Sequence, residues 1–110
     1  MTQHYLMRIK FSAPSVKALV SKPHDRTNVA KQLIESFGGK LHHYYIAFGE
    51  YDVILIAEFP DNASAVGTAM AATSTGAYTG FETTPLLTAH EAEMAMKKAH
   101  DTKTEFKPPH

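Results

Sequence analysis

The sequence predicts an α+β fold, a four-stranded antiparallel sheet with helices on one face only. Three observations predict it. Residues 4–11 alternate polar and apolar side chains, as a strand with one apolar face does. Phe48-Gly49-Glu50-Tyr51-Asp52 breaks an aromatic run immediately before the β-branched run Val53 to Phe59, which reads as a tight β-hairpin. Two helical stripes, one closed by Gly38-Gly39 and one by Gly76, separate that hairpin from the outer strands.

In chain order, the first strand puts Tyr5, Met7, Ile9 and Phe11 on one side and His4, Leu6, Arg8 and Lys10 on the other. Ser12 to Ser15 punctuates, and a short helical piece follows over Ser15 to Ser21 until Pro23 interrupts it. A second helix starts at Asp25 or Thr27 and runs to Phe37, with Val29, Leu33 and Phe37 recurring every fourth residue. The second strand is expected over Lys40 to Phe48 and the third over Tyr51 to Phe59. Asp61 or Asn62 caps the next helix, whose alanines suit close packing on a sheet and which extends to about Thr75. A fourth strand lies within Thr79 to Ala89, and residues 90–100 turn helical. The order strand, helix, strand, strand, helix, strand is the split βαβ, or ferredoxin-like, arrangement. The domain is expected over residues 4–100, with 101–110 a polar, disordered tail ending in Pro108-Pro109.

A two-residue loop at Gly49-Glu50 would pair Phe48 with Tyr51 and Ala47 with Asp52. The helix-covered face then holds Tyr44, Ile46, Phe48, Tyr51, Val53, Leu55, Ala57 and Phe59. The open face holds His43, Tyr45, Ala47, Asp52, Ile54, Ile56 and Glu58, joined by Leu6, Arg8, Lys10, Glu82, Thr84 and Leu86. The third strand is thus apolar at both parities, the signature of burial on both sides. Helices of so short a chain cover one face, so a second subunit is the expected cover for the other.

Composition excludes several classes. Formal charge is balanced, 11 basic against 11 acidic residues, where a sequence-independent nucleic-acid binder carries a basic excess. No cysteine is present, which removes disulfides, thiolate metal sites and cysteine nucleophiles and fits a cytoplasmic protein. Neither a signal peptide nor a membrane-spanning run is visible.

The blocks Gly38-Gly39-Lys40, Ala47-Phe48-Gly49-Glu50-Tyr51-Asp52, Glu58-Phe59-Pro60-Asp61-Asn62 and Thr83-Thr84-Pro85-Leu86-Leu87-Thr88 occur in that order. With them the chain resembles the GYD domain family of small bacterial proteins, whose motif residues here are Gly49, Tyr51 and Asp52. A similar glycine-to-aspartate hairpin occurs in the effector-binding domains of leucine-responsive-type regulators. Those share the topology, as do the dimeric α/β-barrel enzymes. The resemblance implies a ferredoxin-like fold that oligomerises through its sheet, and it carries no activity.

Seven histidines is a high count for this length. His42 and His43 are neighbours on a strand and should point to opposite faces. No HxH or HExxH pattern occurs, and His90 and His100 are too far apart for a helical metal pair, so no metal site and no cofactor are expected. His4, His24, His90, His100 and His110 read as solvated. His43 shares a face with Tyr45 and Asp52, and Arg8 lies near, so these four are the candidate ligand-binding residues. The structural alternative is that Asp52 accepts turn amide hydrogens and that Arg8 and Lys10 pair with Glu58 and Glu82.

The expected function is a small homo-oligomer binding a small organic ligand at or near the sheet–sheet interface, with neither nucleic acid nor membrane as partner. One alternative is a cofactor-independent oxygenase or isomerase of the dimeric α/β-barrel type using His43, Tyr45 and Asp52, or a haem-binding relative of it. The other is a purely structural assembly module.

Overall fold

Alternation in the chain becomes alternation in burial. The computed structural model describes residues 2–109, so His110 lies outside the described residues. Strand β1 (Gln3–Phe11) buries Tyr5, Met7 and Ile9 while the intervening side chains stay half-exposed. Helices α1 (Ala13–Ser21) and α2 (Thr27–Ser36) follow, then β2 (Lys40–Ile46), β3 (Val53–Phe59), α3 (Asn62–Thr73), β4 (Tyr78–Leu86) and α4 (Ala89–Asp101). The strands form one sheet in the order β2-β3-β1-β4, and all three pairings are antiparallel. This is the expected ferredoxin-like α+β fold, with α1 and α4 added to its two crossover helices.

Local chemistry sets the boundaries. Ser12 caps α1 by accepting the Ser15 N–H at 3.3 Å, so the helix begins two residues before the expected Ser15. The Asp25 carboxylate accepts the Thr27 N–H at 2.8 Å where α2 begins. Past the end of α2, Gly38 takes φ +77°, the left-handed conformation that ends helices. Gly39 then lets the chain pass so near β3 that an added Cβ would sit 2.7 Å from the Glu58 carbonyl oxygen and the Phe59 ring. Asp61 caps α3 through the Ser64 N–H at 2.7 Å. Ala65, Thr68 and Ala72, all small, form the buried stripe of that helix. Thr88 and Glu91 make a reciprocal capping box that starts α4 one residue earlier than composition suggested. No residue of α4 is buried, and residues 102–109 carry neither helix nor strand.

The core joins one face of the sheet to the helices: Tyr5, Met7, Ile9, Val53, Leu55, Ala57 and Phe59 cluster with Ile34 of α2 and Ala65 of α3. The hairpin differs from expectation. β2 ends at Ile46 and β3 starts at Val53, so the connection is longer than two residues, although the pairing continues through the Ala47 N–H, which donates to the Asp52 carbonyl at 2.9 Å. The left-handed glycines are Gly38 and Gly76, so Gly49 does not supply a positive φ. Phe48, expected in the core, is fully exposed at the loop tip. The longer loop releases both Phe48 and Tyr51 from strand alternation.

Candidate functional site

Register orders the open face of the sheet into rows. Tyr45, Ile54, Arg8 and Glu82 lie side by side across β2, β3, β1 and β4. The next row is His43, Ile56, Leu6 and Thr84. In the third, Glu58, His4 and Leu86 are cross-strand partners, with Lys40 opposite Glu58. The centre of this face is therefore apolar, and its two ends are charged or polar.

At one end Tyr51 crosses the sheet rather than entering the core, a correction to the sequence reading. Its ring lies 4.7 Å beneath the Arg8 guanidinium and 5.4 Å from the Lys10 ammonium. Its hydroxyl donates to the Glu82 carboxylate, whose other oxygen accepts from Arg8 Nη2 at 2.6 Å. The Tyr51 bond, aided by the Arg8 charge, holds the Glu82 carboxyl below the usual carboxylate range. The same bond, with some burial and the charges of Glu82 and Glu50, pushes the Tyr51 phenol up. Arg8 Nε is buried and lacks a hydrogen-bond partner among the described residues.

The other end depends on an irregularity. β2 shifts register between Leu41 and His43, so two residues of β2 meet a single step of β3. That bulge cancels one alternation. His43 stands opposite Ile56 and stacks on Tyr45, ring centroids 6.2 Å apart. His42 reaches the same face, where its Nε2 lies 2.9 Å from Glu58 Oε1 and its ring stacks on His4 at 5.2 Å. The expectation that the two neighbours face opposite ways holds for a regular strand, and this one is not regular. His4 Nε2 is 3.8 Å from the same Glu58 oxygen, which corrects the reading of His4 as merely solvated. The His42 bond, then the Thr2 hydroxyl, keep the Glu58 carboxyl below its ordinary range.

The four residues singled out from sequence do not share one pocket in this chain. Tyr45 and His43 stack together, and Arg8 is one strand beyond Ile54 but already engaged by Glu82 and Tyr51. The Asp52 carboxylate accepts the Phe11 N–H at 2.8 Å, and the Asp52 N–H donates to the Ile9 carbonyl at 2.8 Å. Asp52 thus does the structural work of extending the β3–β1 pairing into the loop.

A half-open cavity lies on the other side of the sheet. A cavity of about 260 Å³ separates β1 and β3 from α2 and α3, walled by Met7, Val53, Leu55, Leu33 and Ala72. Arg26, Tyr44, Thr68 and Tyr78 give it polar groups. Burial, with Tyr78 close by, pushes the Tyr44 phenol up against the opposing Arg26 charge, so Tyr44 is a neutral hydroxyl at physiological pH. Among the described residues no carboxylate lies within ion-pair distance of Arg26, whose guanidinium is 3.4 Å from His24 Nε2. Sequence periodicity had made Val29, Leu33 and Tyr44 core residues. Nothing in a linear pattern reports that the packing between them is incomplete.

The architecture is that of a ferredoxin-like α+β domain with one sheet face covered by helices and one left open. The GYD domain family model matches residues 5–96, and the chain belongs to that family. No curated protein matches it. No helix among the described residues is long and apolar enough to cross a membrane.

Proposed function

We propose that this chain is a small-ligand-binding domain that works as a cytoplasmic homo-oligomer, with its ligand under the sheet and its subunit contact on the sheet's open face. The observation that carries the ligand reading is the cavity of about 260 Å³ with Arg26 among its lining residues. Apolar walls with a few convergent polar groups are the usual make-up of a small-molecule site, and this volume lies just below the usual range, which restricts the ligand to a small one. An arginine without a carboxylate partner, lining the same cavity as two tyrosines, suits a compact apolar molecule carrying a carboxylate or phenolate.

The sequence placed the ligand at the sheet–sheet contact. The half-open cavity favours the opposite face of the same sheet. Leu6, Ile54, Ile56 and Leu86 then serve as the apolar centre of the subunit contact, and Arg8, His43 and Tyr45 as polar groups around it.

A thermal-shift screen of small aromatic and aliphatic acids tests the ligand site. At least one acid should raise the melting temperature of the wild type, and Arg26→Ala and Tyr44→Phe should each reduce that shift. No stabilising acid, or a shift unchanged in both variants, overturns this reading. Sedimentation at low micromolar concentration tests the contact: the wild type should be a dimer or larger, and Ile56→Lys should lower the association state while circular dichroism stays native. A wild-type monomer would leave the open face without its proposed role. Conversion of the bound acid, rather than binding alone, would move the domain to the enzyme class.

A further inference from the structure

We propose that His4, His42 and Glu58 form a binding site for a divalent transition-metal ion of the zinc type. One donor atom from each residue lies within 4.8 Å of the other two. Both nitrogen-to-oxygen separations converge on a single atom, Glu58 Oε1, at 2.9 Å from His42 and 3.8 Å from His4. A tetrahedral ion with bonds of about 2.0–2.1 Å holds its donors roughly 3.4 Å apart, between those two values. The ion would take the place of the His42–Glu58 hydrogen bond, and side-chain rotations would bring the three donors to that spacing.

The backbone explains why three donors meet here. Glu58 and His4 are cross-strand partners in β3 and β1, so their side chains stand together on the open face. In a regular β2, only one of His42 and His43 could join them. The bulge between Leu41 and His43 puts His42 over Glu58 and leaves His43 on Tyr45. Each donor comes from a different strand of a continuous sheet, and rigid elements hold ligands better than loops do.

Donor chemistry selects the ion. Two imidazoles and one carboxylate suit zinc, cobalt, nickel or copper, whereas magnesium and calcium favour all-oxygen shells. The side chains of His4, His42 and Glu58 are 45%, 28% and 24% exposed, so an ion can enter without opening the fold. With three protein donors, at least one coordination position points away from the sheet, toward solvent or toward whatever covers the open face.

Calorimetric titration of the whole chain with zinc chloride, near neutral pH and without chelating buffer, tests the site. One ion per chain should bind. His42→Ala and Glu58→Gln should each weaken binding about tenfold or more, a loss of about 1.4 kcal/mol. The double change His90→Ala with His100→Ala, on exposed α4, should leave binding unchanged. Imidazole proton resonances provide a readout that needs no variant: of the seven histidines, those of His4 and His42 should shift together on saturation. Titration with magnesium should move neither. Zinc binding that survives both His42→Ala and Glu58→Gln, resonance shifts centred on other histidines, or no binding below millimolar zinc overturns the proposal.

Discussion

Leu55 and Ile56 are neighbours on β3 with opposite surroundings. Leu55 is 3% exposed and packed in the cluster that includes Ile34 and Ala65. Ile56 looks out between His43 and Leu6 from the half-buried centre of a face that no helix covers. Composition alone cannot separate the two residues, since both are large aliphatics in one β-branched run. Position relative to the helices separates them. The inner face gains its burial inside one chain, and the outer face has apolar side chains whose remaining burial must come from elsewhere.

The largest expected effect tests that contrast directly. Leu55→Ala should cost about 2–5 kcal/mol of folding stability in denaturant titration, the range for deleting a buried leucine side chain. Ile56→Ala should cost less at high dilution and should show its effect mainly on association, as a shift of the monomer–oligomer equilibrium. Equal losses for both variants at dilution would mean that the open face is already satisfied within one chain, and the contrast would fail.

Glycines sharpen the same contrast. Gly39 is where the chain turns onto the sheet, and a Cβ there would meet the Glu58 carbonyl and the Phe59 ring at 2.7 Å. Backbone cannot yield as a flexible side chain can, so Gly39→Ala should destabilise by about 1–3 kcal/mol. Gly49 has nothing within 4 Å of an added Cβ and no left-handed φ. Gly49→Val should therefore stay within about 0.5 kcal/mol of wild type, as exposed substitutions do. Guanidinium midpoints of the two variants give the comparison, and a larger loss at Gly49 would reverse the present account of the hairpin.

How much of this was legible in the chain follows from the kind of signal involved. Period-two alternation in residues 4–11 and the double apolar parity of Val53 to Phe59 report sheet position directly, so the topology and both faces could be read. Gly38 and Asp61 act through local conformation and capping, and local chemistry is written in local sequence. Tyr51 was misplaced because one extra turn of loop changes which way a side chain leaves the sheet, and Gly-Glu before a tyrosine fits either loop length. His42 was missed for a related reason: a bulge has no composition of its own, and one unpaired residue reverses the parity of everything beyond it. The cavity depends on how four elements fail to fill a volume, which no single segment encodes.

The smallest expected effect concerns the polar end of the open face. The Glu82 carboxyl is held below its ordinary range, first by the Tyr51 hydroxyl and then by Arg8. Its unfolded form therefore binds a proton at higher pH than its folded form does. The stabilisation is present above the unfolded carboxylate value and is lost as pH falls through the lower folded value, so it belongs to the acid limb of the stability curve. Glu82→Gln should flatten that limb from above, lowering stability slightly between pH 6 and pH 8 and converging on wild type at low pH, a small change because the pair is solvent-exposed and screened. Tyr51→Phe should reproduce part of the flattening, since it removes the first of the two causes. Melting temperatures measured from about pH 3 to pH 8 at low and high salt would separate them, with the Arg8 contribution fading in salt and the Tyr51 hydrogen bond persisting. An acid limb as steep in Glu82→Gln as in wild type would mean that the cluster contributes nothing to folding within one chain. Its residues would then belong, with Ile56, to the energetics of the contact rather than of the fold.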